Sequence, residues 1–205
     1  MRLNVKISLI AFMCFMVLLP NSIFAQEVLQ NGSEGQEVYN LQDRLRQMGY
    51  FTTQPTGYYG PVTAEAVRQF QLDTRVLSTG VFGPQTKRKL NNVEMMARVV
   101  HGEARGEQYI GQVAVAAVIL NRLSAPGFPK STYDVIFQTN AFTAVNDGQY
   151  YLTPDFYSYR AVIDALKGWD PTYGSVYYYN PVLATNQWIF TRQTVLRIGN
   201  HLFAK

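Results

Sequence analysis

The apolar residues Val38, Leu41, Leu45 and Met48 recur at intervals of three and four, the spacing of one face of an α-helix. Ser33 and Gln36 are placed to form a capping box ahead of this helix, and Gly49 to stop it. Farther on, Gly57-Tyr58-Tyr59-Gly60-Pro61-Val62-Thr63 returns 23 residues later as Gly80-Val81-Phe82-Gly83-Pro84-Gln85-Thr86. Each copy reads Gly-x-aromatic-Gly-Pro-x-Thr. The proline is preorganised for the first position of a helix, and the glycines suit backbone angles closed to other residues. This pattern predicts three short helices, at about 36–48, 61–72 and 84–91, in a unit of roughly 60 residues, a size that can fold alone.

From Asn92 the texture changes. Val93, Met96, Ala97 and Val100 predict a short amphipathic helix that runs into His101-Gly102-Glu103-Ala104-Arg105-Gly106-Glu107. In Gln112–Arg122, Val113, Ala114, Ala117, Val118 and Leu120 make a helix apolar around most of its surface, which places it centrally. Pro126, Gly127 and Pro129 end it. Another helix is marked by Thr153 as cap, Pro154 as first residue and Gly168 just past its end. Ser175–Tyr179 and Trp188–Thr191 read as short strands, with Tyr178 on the face opposite Tyr177 and Tyr179.

The N-terminus has a different character. Arg2 and Lys6 precede an uncharged apolar run of thirteen residues, Ile7–Leu19, with Pro20–Ser22 and Ala25 beyond it. That order is a secretory signal with cleavage expected after Ala25. The run is shorter than the roughly 20 residues of a spanning helix, so no stable membrane span is expected once the signal is removed. The single cysteine, Cys14, lies inside it, which leaves no disulfide and no thiol nucleophile in residues 26–205. Losing Arg2 and Lys6 lowers the formal net charge from +4 to +2, a balance that does not argue for nucleic acid. Aromatic residues make up 14% of the chain, enough for two cores with flat faces left over for a groove.

A carboxyl can protonate a departing oxygen near neutral pH only if burial raises its pKa. Glu103 is placed for that: it follows an apolar helix, and Gly102 before it would let a polymer approach. If the helix continued, Glu103 and Glu107 would share a face, but Gly106 weighs against continuation. Spacing alone suits a solvated glutamate closing a helix at least as well. Asp147 in an Asn-Asp-Gly turn, Asp155 in the first turn of a helix and Asp170 before a proline read as structural. His101 and His201 are the only histidines and have no ligand spacing, so neither a metal nor a cofactor is expected. No Gly-x-Ser-x-Gly elbow occurs.

Two resemblances change this picture. Val38–Leu90, with LQDRLRQMGY, GYYGPVTAEAVRQFQ and GVFGPQTKRKL, resembles the peptidoglycan-binding domain of many wall hydrolases, which implies binding of glycan or stem peptide. MARVVHGEARGE, GQVAVAAVILNR, VIFQTNAFTAVNDGQ, YYYNP and IGNHLF, which span nearly all of Asn92–Phe203 in order, resemble the catalytic domain of spore cortex-lytic enzymes. The expected fold is therefore mainly α: a signal at 1–25, a three-helix peptidoglycan-binding domain at 26–91, and an α+β, lysozyme-like catalytic domain with a small sheet at 92–205. The resemblance makes Glu103, in the Gly-Glu-Ala-Arg-Gly motif, the catalytic residue of a lytic transglycosylase that cleaves the N-acetylmuramic acid–N-acetylglucosamine bond of cortex. A hydrolase of the same bond and a non-catalytic wall-binding protein are the alternatives. Phe142, Thr143, Gln149, Tyr178, Asn180 and Trp188 are expected along a sugar groove, because sugars are held by flat aromatic faces and by amide or hydroxyl hydrogen bonds. The resemblance further implies a preference for muramic-δ-lactam, a partner protein that stabilises the enzyme in the dormant spore, and a place in the cortex or on the outer face of the spore inner membrane.

Overall fold

The computed structural model describes residues 28–205; the predicted signal lies outside the described residues. Helix α1 (Gln36–Gln47) buries Val38, Leu41 and Leu45 as its spacing predicts, and Gly49 ends it at a φ of 85°. Its start differs from expectation. Gly35, at a φ of 115°, is the N-cap, and its N–H is held by the Gly57 carbonyl, so the helix is launched by docking on the first Gly-Pro loop. The Ser33 hydroxyl instead accepts from the Gln30 N–H, and Gln36 bonds Asn40.

Helix α2 (Pro61–Asp73) and helix α3 (Pro84–Ala104) both open on the proline of the repeated motif. One buried glutamine fastens each copy. Gln42 donates to the Tyr58 carbonyl and Thr63 hydroxyl at 2.9 Å and accepts from the N–H groups of Thr56 and Gly57. Gln71 does the same in the second copy, donating to the Val81 carbonyl and Thr86 hydroxyl and accepting from the Gly80 N–H. The Leu-Gln and Phe-Gln pairs of the sequence are thus one apolar anchor and one loop clamp each.

Two predicted helices, 84–91 and the one over Val93–Val100, are a single helix of 21 residues, α3. Nothing between Pro84 and Gly102 breaks it. Thr86, Leu90, Val93, Ala97, Val100 and Ala104 are all buried at alternating spacings of four and three, so one stripe serves the whole length. Helix α4 (Tyr109–Ser124) is buried without interruption from Gly111 to Ile119, as its composition predicts. Against it pack α5 (Thr132–Ile136) and α7 (Phe156–Leu166), with the four-residue α6 (Thr143–Asn146) at the end of α3. The cap of α7 is Asp155, whose carboxylate accepts from the Ser158 N–H at 2.7 Å, rather than Thr153. Asp is among the strongest caps, and it displaces the start by two residues.

The sheet is antiparallel, ordered β1 (Tyr177–Tyr179), β3 (His201–Ala204), β2 (Thr194–Ile198). The expected strand at Trp188–Thr191 is a 3₁₀ turn instead, because the Asn186 side chain accepts from the Trp188 N–H and curls the chain. The strand pair β2–β3 was not expected. It closes through Gly199-Asn200, with Ile198 paired to His201. Phe203 fixes the sheet to Ala114 and Val118 of α4.

One apolar cluster runs from Leu29 to Ala165 and so through both predicted domains. Ion pairs follow it at the surface: Glu94 receives Arg44 at 2.7 Å and Arg98 at 3.0 Å, and Lys167 meets Asp73 at 3.1 Å. No helix among the described residues is long and apolar enough to cross a membrane.

Candidate active site

Glu103 stands in the last turn of α3, before the helix ends at Ala104. Gly102 beside it lines the cleft, and its missing side chain has a second use in the packing. A methyl group there would collide with the Ala144 side chain, so Gly102 lets α6 lie directly on α3. That approach brings the Ala144 N–H to 2.6 Å from the Glu103 carboxyl. Burial pushes the Glu103 carboxyl above its ordinary pKa of 4.5; the Ala144 N–H opposes this, and the negative charge of Asp147 adds to it. Glu103 is therefore held toward its protonated form, the state a general acid needs.

Tyr178, in the middle of β1, packs on Phe203 with its ring 5.8 Å away, while Tyr177 and Tyr179 turn to the other face and meet Trp188 and Phe190. Its buried hydroxyl has no hydrogen-bond partner of good geometry among the described residues, yet it lies close enough to Glu103 for the carboxyl to raise the pKa of the tyrosine, while the hydroxyl in turn favours the ionised carboxyl. Arg122, buried in α4, donates to the Val176 carbonyl at 2.7 Å and lies 4.9 Å from the centre of the Phe142 ring. It thereby ties β1 and the approach to α6 to the central helix.

A cavity of about 460 Å³ opens in front of Glu103, lined by Phe142, Thr143, Asp147, Gln149, Tyr178, Asn180 and His201 among others. It shares Asn140, Thr143, Tyr178, Tyr179 and Leu183 with a second cavity of about 990 Å³ that reaches Trp188. The two form one groove. Five of the six expected groove residues thus gather around Glu103, with Trp188 farther along. They differ in what they offer. Thr143 is exposed, whereas Phe142 is 3% exposed and mostly wall. Asn180 uses its Oδ1 on the Val182 N–H, leaving its amide nitrogen to donate. Trp188 has one face covered by the Arg192 guanidinium, 4.5 Å from the ring centre.

The four other carboxylates separate cleanly. Glu107 lies beyond the helix end and accepts from Asn200 at 2.9 Å, packed against Gly199. It holds the β2–β3 turn. Asp155 caps α7, and Asp170 binds Thr172, Gly174 and Asn121 in a loop. Only Asp147 lines the groove. Its own turn, through both the backbone N–H and the side chain of Gln149, holds its carboxyl below the usual range, so it is ionised and exposed. Sequence reasoning missed His201, which lines the cleft with its ring edge-on to Tyr178 at 5.3 Å. Its signal was the Gly-Asn turn just before it, which marks a hairpin.

A buried acid at the wall of an open groove, joined to a repeat-built helical unit, is the arrangement of a wall-degrading enzyme, and the comparisons with known proteins agree. Residues 106–204 match the cell wall hydrolase family and residues 34–90 a peptidoglycan binding domain. The spore cortex-lytic enzyme of Bacillus cereus is 38% identical over 227 residues, covering 89% of this chain and 88% of that protein. That of Bacillus subtilis is 53% identical over 115 residues, 56% of this chain and 38% of that one. Among solved structures, the catalytic domain of the Bacillus cereus SleB protein is similar at a TM-score of 0.54 and 55% identity, covering 56% of this chain and 90% of that one. The catalytic domain of germination-specific lytic transglycosylase SleB from Bacillus anthracis has the same TM-score at 56% identity, covering 56% of this chain and 94% of that one. The chain belongs to the spore cortex-lytic enzyme family.

Proposed function

We propose that this protein degrades cortex peptidoglycan during spore germination by lytic transglycosylation, with Glu103 making both proton transfers. The observation that carries this reading is the state of Glu103: a carboxyl kept toward protonation by burial, and oriented by one backbone N–H, at the wall of an open groove. In the first step the Glu103 carboxyl protonates the oxygen that links N-acetylmuramic acid to N-acetylglucosamine, and the bond from that oxygen to muramyl C1 breaks. The Glu103 carboxylate then takes the proton of the muramyl 6-hydroxyl as that oxygen bonds to C1. An anhydro ring closes, Glu103 is reprotonated, and no water is consumed.

Phe142, Thr143, Gln149, Tyr178, Asn180 and Trp188 form the sugar-facing wall in this proposal, and residues up to about 91 hold the enzyme on the wall. Export by the segment ahead of Gln26, residence in the cortex or at the outer face of the inner membrane, and a stabilising partner protein complete it. A second reading is favoured by Asp147 alone, the one ionised carboxylate that shares the groove and that could activate a water. Mass analysis of digested cortex separates the two. Anhydro-muramic ends are expected; reducing muramic ends with one added water would make Asp147 a partner in hydrolysis.

A further inference from the structure

The two copies of the repeat are not equivalent at their open side. Three residues before its clamping glutamine the first copy has Tyr39 and the second Arg68, and the two occupy matching places over the first glycine of each loop. In the second copy Arg68 folds onto Gly80: a methyl group there would lie 2.5 Å from its guanidinium and 3.0 Å from the Ala64 carbonyl. In the first copy only the Tyr39 Cβ comes near Gly57, at 3.9 Å from such a methyl, with the Gly35 carbonyl at 3.4 Å. The second copy plugs itself. The first is left open, as a cavity of about 580 Å³ lined by Glu34, Gly35, Gln36, Tyr39, Thr56, Gly57 and Tyr58.

The lining is suited to a sugar. Tyr39 and Tyr58 are 45% and 49% exposed, where Arg68 and Val81 stand in the second copy. Gly57, at a φ of 78°, lets a ligand reach the backbone where any side chain would intervene. The Glu34 carboxylate has no hydrogen-bond or ion-pair partner among the described residues and is available to accept from hydroxyl groups. The scaffold beneath is rigid, since Gln42 clamps Thr56, Gly57 and Tyr58 from behind.

We infer that the cavity between Tyr39 and Tyr58 is the wall-binding site of the helical unit, and that it takes an amino-sugar ring of the glycan strand, stacked on the tyrosines with its hydroxyl groups on Glu34. This rests on the wall-binding role proposed above for the unit.

The test uses the full chain carrying Glu103→Gln, so that insoluble cortex is not consumed, and reads binding by sedimentation over a range of cortex concentrations. Binding through the catalytic groove is then a floor common to every variant. Adding Tyr39→Ala and Tyr58→Ala together should weaken binding roughly tenfold, the usual effect of removing aromatic anchors, with melting unchanged. Tyr39→Arg, which copies the plug of the second repeat, should weaken it as well, and Arg68→Ala should not. Cortex glycan stripped of its peptides should compete, and free stem peptide should not. Tyrosine variants that bind as the parent does would overturn the site while leaving the wall-binding role standing. A parent that does not sediment would remove both. Competition by stem peptide alone would overturn the assignment to sugar.

Discussion

In the helical unit the buried glutamines Gln42 and Gln71 each have both amide atoms engaged with a loop, and no buried side-chain polar atom there lacks a partner among the described residues. In the second half Gln112 Oε1, Tyr178 Oη and Arg192 Nε are buried without one, and Tyr178 faces a carboxyl whose pKa burial raises. An unsatisfied buried polar atom costs about 1–3 kcal/mol. The difference is one of task. A binding unit needs rigid loops and saturates them; of the three unsatisfied atoms in the second half only the Tyr178 hydroxyl belongs to a residue that lines the groove, where an uncommitted donor is free to meet a ligand.

The contrast breaks most sharply at Glu103. Glu103→Gln keeps shape and most hydrogen bonding but removes the proton, so turnover of cortex should fall by roughly 10²–10⁴-fold. Stability should not fall with it. Because the folded pKa of Glu103 is raised, its favourable contribution is full below its unfolded value and is lost as pH rises through the folded one. The glutamine variant should therefore gain stability relative to the parent as pH is raised through that window, which thermal melts from pH 4 to 8 would read. A parent that keeps its advantage at high pH would mean that Glu103 is ionised at no cost.

Next in size are the clamps. Gln42→Leu or Gln71→Leu leaves several loop donors and acceptors unpaired and should cost about 3 kcal/mol, or roughly 6–12 °C in melting. Cleavage of soluble glycan should persist wherever the protein stays folded. Gly102→Ala should act in the opposite sense. It forces α6 away from α3, draws the Ala144 N–H off Glu103, and should lower turnover by roughly 10–100-fold with a modest loss of stability. Smallest are the carboxylates. Glu107→Gln and Asp147→Asn should each keep turnover within about tenfold, the first showing its effect on melting through the β2–β3 turn. An Asp147→Asn variant as inactive as Glu103→Gln would favour hydrolysis.

Much of this molecule was legible in its sequence. Periodicity and the Gly-Pro repeat fixed α1, α2 and the start of α3, and the composition of Val113–Ile119 announced the central helix. These are local signals, each carried by residues within a turn or two of one another. Glu103 and five of the six expected groove residues line one cleft. Tertiary structure decided what depends on contacts distant in sequence. Gly57 sets the start of α1, and Phe203 docks the sheet on α4. The Asn186 turn that curls an expected strand and the unbroken stripe that joins two expected helices are, by contrast, local features. No local pattern could tell that Gly102 makes room for Ala144, that Glu107 belongs to a turn 93 residues away, or that one repeat is plugged and the other open. Spacing along the chain specifies which face a side chain is on; only packing specifies what meets it there.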